Sequence, residues 1–163
     1  MLIAIISDIH DNLPNLDKCL NWCQKNEVKK IIFCGDATTS ETIFHLAANF
    51  GGDIFIVKGN AEIYTPKEIA NCSNINNQGE AGIIELEGYR LGLCHEPIKI
   101  ENILLSAPDF IFYGHTHKPW IETKNKTIIA NPGNLAGTFN PATFATLETD
   151  TKDLRLHLLA DLK

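Results

Sequence analysis

Three apolar runs of strand length alternate with two amphipathic stripes in the first part of the chain, and this order limits the possible folds more than any other feature. The runs are residues 2–6 (LIAII), 30–34 (KIIFC) and 53–57 (DIFIV). Between them Leu16, Cys19, Leu20 and Cys23 recur at helical spacing, and Ile43, Leu46, Ala47 and Phe50 repeat the pattern. Helices are therefore expected over 15–26 and 41–50. Strand, helix, strand, helix, strand with short joins implies right-handed crossovers and a parallel sheet. Near-continuous apolarity in the strands predicts cover on both faces.

The second half reads differently. Residues 83–87 and 90–94 form a hairpin about Gly88-Tyr89, and 99–106 a short helix ended by Pro108. Residues 109–113 (DFIFY) are a further buried strand. WIETKNKTIIA turns at Lys124-Asn125-Lys126, and TFATLETD with LRLHLLA turns around Asp150 to Asp153, giving two more hairpins. Residues 65–80 are polar and are expected to be loop. The expected fold is α/β in the α+β sandwich sense: two packed mixed β-sheets flanked by helices, in one domain over 1–163 with no repeat and no interdomain linker.

Composition removes several classes of function. Fourteen Lys and Arg against twenty Asp and Glu give a net charge of −6, and Lys29-Lys30 is the only adjacent basic pair. A protein that tracks nucleic acid needs a basic stripe, so no long nucleic acid is expected as partner. No apolar stretch approaches the ~18 residues of a membrane span, and the N-terminal run leads straight into charge, as a strand rather than a signal peptide. Five cysteines without an export signal are expected to be reduced thiols of a cytoplasmic protein. Cys19 and Cys23 read as core residues, and His45 and His157 as structural. Oligomeric state is not legible.

In an open parallel sheet, ligands bind beyond the carboxyl ends of the strands. The first run is followed by Asp8 and His10, the second by Asp36, the third by Asn60, the run 90–94 by His95, and the run 109–113 by His115 and His117. Each residue taken singly has an ordinary reading as a cap, turn or surface group. Together, carboxylates and imidazoles gathered at one end of a sheet would repel or stay unpaired unless cations join them. The mixed oxygen and nitrogen donors favour two divalent metal ions of the Mn²⁺, Fe²⁺, Zn²⁺ or Ni²⁺ kind over Ca²⁺ or Mg²⁺. Seven donors are too many for one tetrahedral site and suit two ions if one carboxylate bridges. Such a pair, ~3.5–4 Å apart, clamps a phosphoryl group for in-line attack by a shared hydroxide.

The motifs DxH (Asp8, His10), GD (Gly35-Asp36), GN (Gly59-Asn60), a single histidine (His95) and GHTH (Gly114 to His117), in this order, resemble the calcineurin-like metallophosphoesterases, most closely their small bacterial and archaeal phosphodiesterases. NPGN, Asn131 to Asn134, is similar to the family's NPGS segment. The resemblance implies a four-layer fold of that type. It implies Asp8, His10 and His117 on one metal, Asn60, His95 and His115 on the other, Asp36 between them, and Mn²⁺ foremost. Asn60 and His95 would also orient the substrate, a small phosphoester. The expected enzyme is a metal-dependent phosphodiesterase.

The chain departs from the family in several places. Ala61 stands where relatives carry a His or Cys, so the usual general acid is missing. Glu62 follows it with its role open. GDATTS lacks the second Asp and the Arg of the phosphatase branch, and Asp11 and Glu96 replace commoner glycines. The alternative function is a non-catalytic protein-binding scaffold of the same fold. It is disfavoured because all seven ligand positions keep residues able to bind metal. A purely structural metal site is disfavoured because such sites are closed and rich in cysteine.

Overall fold

The structure is a computed structural model that describes residues 1–162. In chain order the elements are β1 (Leu2–Ile6), α1 (Leu13–Lys25), β2 (Lys30–Phe33), α2 (Ser40–Asn49), β3 (Asp53–Ile56), β4 (Ile75–Asn77), β5 (Ala81–Leu86) and β6 (Tyr89–Cys94). They continue with α3 (Ile100–Leu104), β7 (Phe110–Phe112), β8 (Trp120–Lys124), β9 (Thr127–Asn131), β10 (Thr143–Glu148) and β11 (Asp153–Leu158). Short 3₁₀ turns lie at Pro97–Lys99 and Leu159–Asp161.

Two mixed sheets result. One has the order β11-β10-β1-β2-β3-β4, with β1 to β4 parallel, β10 antiparallel to β1 and β11 antiparallel to β10. The other has the order β5-β6-β7-β9-β8, with β6, β7 and β9 parallel between antiparallel edges. The strand period of two sorts the core. Ile3, Ile5, Ile32 and Val57 meet Leu91, Leu93, Phe110 and Phe112 between the sheets. Ala4, Ile6, Ile31, Phe33 and Ile54 instead meet Leu16, Cys19, Leu20, Cys23, Ile43 and Leu46 of α1 and α2. A third cluster sets Ile103 of α3 on Cys94, Ile111 and Ile129 behind the second sheet. The three clusters define four layers, helix–sheet–sheet–helix, as expected. Each fully buried Ile or Phe contributes about 1.5–3 kcal/mol.

The local signals explain the element ends. Asn12 caps α1, its Oδ1 accepting from Asn15 N at 3.1 Å, with Pro14 in the first turn. The β8–β9 turn uses Asn125 (φ 51°) and Lys126 (φ 73°), two left-handed residues that match the twist of a two-residue hairpin. Two expectations fail. Residues 65–80 are not all loop, because Ile75–Asn77 form β4, parallel to β3 at the sheet edge. Asn76 and Asn77 are exposed, so backbone hydrogen bonds rather than apolar burial make this strand. The third helix is also shorter than expected. It spans Ile100–Leu104, because Pro97–Lys99 wind as 3₁₀ and Ala107 (φ 47°) reverses the chain before Pro108. Among the described residues, no helix is long and apolar enough to cross a membrane.

Candidate metal centre

The ends of β1, β2, β3, β6 and β7 converge, and all seven residues singled out in the sequence lie in loops that leave those strands. Because β1 to β3 belong to one sheet and β6 and β7 to the other, the cluster straddles the mouth of the sandwich.

One half is built from Asp8, His10 and His117, whose donor atoms lie within 4.8 Å of one another. His117 Nε2 is 3.1 Å from Asp8 Oδ1 and 3.2 Å from His10 Nε2. Asp8 is fully buried. Its Oδ2 accepts from Ser7 Oγ at 2.5 Å and from His115 N at 3.1 Å, while Oδ1 has no hydrogen-bond donor. The Asp8 carboxylate, its Oδ1 3.8 Å from His10 Nε2, raises the His10 pKa above its ordinary value, more than burial lowers it.

The other half gathers around Asn60. Its Oδ1 lies 3.0 Å from His95 Nε2 and 2.8 Å from His115 Nδ1. His95 Nδ1 is 2.7 Å from the Cys34 carbonyl, an acceptor only, so Nδ1 carries a proton and Nε2 faces the oxygens. Asp36 joins the halves. Its Oδ2 is 3.3 Å from His95 Nε2 and 3.7 Å from His10 Nε2, and its Oδ1 accepts from Ala61 N at 2.8 Å. Burial pushes the Asp36 carboxyl up, but His95 and the Ala61 N–H outweigh it and hold it below the usual range. Burial also works to lower the His95 pKa, and the bond and charge of Asp36 outweigh it, leaving it raised.

The backbone is arranged around these groups. Asp8, His10, Asp36, His115 and His117 all have φ between 46° and 68°. Left-handed backbone at non-glycine positions costs on the order of 1–3 kcal/mol each, and such strain collects at functional sites. Two glycines make room. A Cβ on Gly114 would lie 2.0 Å from Ser7 Oγ, and one on Gly59 would lie 2.0 Å from Asp36 Oδ1.

Several supporting residues escaped the sequence reading or were left open by it. Glu62 Oε1 accepts from Asp36 N at 2.8 Å and Ala37 N at 3.4 Å, bracing the loop that carries Asp36, and its Oε2 is buried without a donor. Burial and then the Asp36 charge push the Glu62 carboxyl up. Asn134 donates to the His117 carbonyl at 3.1 Å, and Asn131 donates to the Gly114 carbonyl at 2.7 Å, so the NPGN segment holds the histidine loop. Asp11 is occupied elsewhere: its Oδ1 accepts from Thr39 N at 3.2 Å, Thr39 Oγ1 at 2.8 Å and Thr42 Oγ1 at 2.5 Å, where it favours the N-terminus of α2. His45 pairs with Asp17 at 2.6 Å, and His157 packs on Trp22 and Phe144, so both are structural as expected.

Divalent cations fit this donor set. Asp8 and Asp36 are buried carboxylates whose donor atoms, with that of His95, lie within 4.8 Å of one another. The free lone pairs of Asp8 Oδ1 and the facing ring nitrogens are costly without a cation.

Fold and donor set define a two-sheet metallohydrolase. The chain belongs to the calcineurin-like phosphoesterase superfamily, whose domain matches residues 1–152. It is therefore a phosphoric ester hydrolase of a family that uses divalent metals. Over 162 residues it is 26% identical to a phosphodiesterase of Methanocaldococcus jannaschii, covering 95% of this chain and 97% of that one. The solved structure of an archaeal phosphodiesterase aligns with a TM-score of 0.88 at 25% identity, covering 97% of this chain and 99% of the other. Vps29 of Entamoeba histolytica, solved with zinc, shares the fold with a TM-score of 0.72 at 19% identity, covering 100% of this chain and 95% of that one.

Proposed function

We propose that the chain hydrolyses small phosphodiesters with two divalent cations, Mn²⁺ foremost and Fe²⁺, Zn²⁺ or Ni²⁺ suited to the same donors. Asp8, His10 and His117 would hold one, Asn60, His95 and His115 the other, and Asp36 would be shared. The observation that carries the reading is Asp8 Oδ1, fully buried, without a donor, and 3.1 Å from His117 Nε2. When bound, such a pair of ions polarises the phosphoryl oxygens and lowers the pKa of a water toward neutrality.

The chain's own residues do the rest. His95 is held in one tautomer by the Cys34 carbonyl and, with the Asn60 carboxamide, orients the phosphoryl group. Ala61 has no side-chain proton to give the leaving group, so that proton comes from solvent. General acid help is worth ~10²–10⁴-fold, so good leaving groups are favoured. A diester bears less charge than a monoester dianion, which suits a protein of net charge −6 with Glu96 beside His95. One catalytic domain spans the chain, in a cytoplasmic setting where the five free cysteines stay reduced, and its partner is a small phosphoester.

Hydrolysis of bis(p-nitrophenyl) phosphate with added Mn²⁺, for wild type and Asp36→Ala, tests it. Metal-dependent turnover at least about 10²-fold above the variant is expected. Equal rates in both would move the chain to the scaffold function.

A further inference from the structure

Phe139 is 97% exposed, the most exposed large hydrophobic side chain among the described residues. Its φ is 63°, a left-handed backbone that an aromatic residue adopts only at a steric cost. Such a residue neither packs the core nor suits its turn, where Gly or Asn would sit with less strain.

The ring nevertheless has a defined place. Asn134 Oδ1 accepts from Gly137 N at 2.6 Å and Thr138 N at 3.2 Å, while its Nδ2 donates to the His117 carbonyl. Thr138 Oγ1 lies 3.3 Å from His117 Nδ1, and Asn140 N donates to the Thr138 carbonyl at 2.7 Å. The Phe139 and His117 ring centroids are 6.0 Å apart at 57°. The loop is thus tied to a candidate ligand, with the face of its ring left to solvent beside the centre. On the loops of the other half, Ile63 (77% exposed) and Ile98 (81% exposed) follow Asn60 and His95 by three residues. A strongly polar centre therefore carries exposed apolar groups on the loops of both halves.

We propose that Phe139 is a platform for a planar ring in one ester group of the substrate, so that the preferred substrates are phosphodiesters bearing an aryl or nucleoside group. The phosphoryl group provides the polar anchor and the ring the apolar one. Stacking tolerates any π-face, so it selects a class of substituent rather than a single base. The proposal rests on the phosphoesterase reading for the headgroup and adds the chemistry of what hangs from it.

Calorimetric titration of the Mn²⁺-loaded protein with three non-hydrolysable, monoanionic diester analogues tests it: dimethylphosphinate, benzyl(methyl)phosphinate and the methylphosphinate analogue of an adenosine 5′-ester. Dimethylphosphinate reads the metal centre alone. Wild type is expected to bind at least one ring-bearing probe about tenfold more tightly than dimethylphosphinate. Preference for the benzyl probe assigns aryl esters, and preference for the adenosine analogue assigns nucleoside esters. Phe139→Ala should bring the ratio to about one, and Phe139→Tyr should keep it. A wild type that lacks ring preference, one that binds none of the probes, or a Phe139→Ala variant that keeps the ratio overturns the proposal. Turnover of bis(p-nitrophenyl) phosphate is a separate measurement, so loss of catalysis and loss of ring recognition are told apart.

Discussion

Asp8 and His117 come from different sheets, yet Asp8 Oδ1 reaches to 3.1 Å from His117 Nε2 and has no donor of its own. The metal-free protein therefore carries a frustrated carboxylate. Asp8→Asn replaces a buried charge near Asp36 with an amide that can donate to a neutral imidazole. At about pH 8.5, with chelator present, the variant should be more stable than wild type by about 1 kcal/mol in urea denaturation. With Mn²⁺ added the order should reverse, because wild type gains more from binding than a variant that has lost one ligand. A variant less stable than wild type under both conditions would show that Asp8 is structural.

Glu62 gives a second measurement. Glu62→Ala leaves the Asp36 N–H without its 2.8 Å acceptor. Stability should fall by about 1–3 kcal/mol, and metal affinity by about 10–100-fold. Glu62→Gln keeps the acceptor oxygen and should restore most of both. Equal losses in the two variants would mean that the charge, rather than the hydrogen bond, matters.

Gly114 bounds how closely the two sheets meet at the site. A methyl there would collide with Ser7 Oγ at 2.0 Å and approach Asp8 Oδ2 at 2.8 Å. Gly114→Ala should cost about 1–3 kcal/mol and weaken metal binding, measured by thermal melting and metal analysis after dialysis. Gly51, where an added Cβ meets nothing within 4 Å, is the control and should tolerate alanine.

These residues also mark how far the sequence could be read. Asp8, His10, Asp36, Asn60, His95, His115 and His117 were visible because each follows an apolar run, and strand ends are where parallel sheets expose side chains. Glu62 was not assignable, because its partner is the backbone of Asp36, twenty-six positions away, and no side-chain pattern encodes that. β4 was missed for a similar reason: its ladder to β3 is made by main-chain groups while its side chains stay polar. Asp11 is legible only as a replacement for a commoner glycine after the DxH motif, and the coordinates reveal that Thr39 and Thr42 take it up. The final hairpin was legible as a hairpin, but its pairing with β1 is a long-range choice that local periodicity does not specify.

His157 supplies a pH test away from the centre. It stacks on Phe144 at 4.8 Å, lies 4.6 Å from Trp22, and its Nε2 is 2.9 Å from Thr146 Oγ1. Burial, then the Arg155 charge, lowers its pKa from 6.5. The unfolded chain therefore takes the proton more readily than the folded one. This contribution is complete above the unfolded pKa and is lost as pH falls through the folded value. His157→Phe keeps a ring and removes the titration. Its unfolding free energy should decline less than that of wild type between about pH 7 and pH 5, in urea with chelator. Parallel declines would assign the acid sensitivity elsewhere.

β1 lies between β2 and β10, with Leu2 opposite Glu148 and the Met1 ammonium 2.7 Å from Glu148 Oε1. Leu135 N and Ala136 N donate to the Ser7 and Asp8 carbonyls on the same flank. A nascent chain emerging from the ribosome thus holds one margin of β1 open until roughly 140 further residues have been made. Maturation of the Asp8 loop is consequently a late event, and truncated translation products would present a bare, apolar strand margin for misassembly.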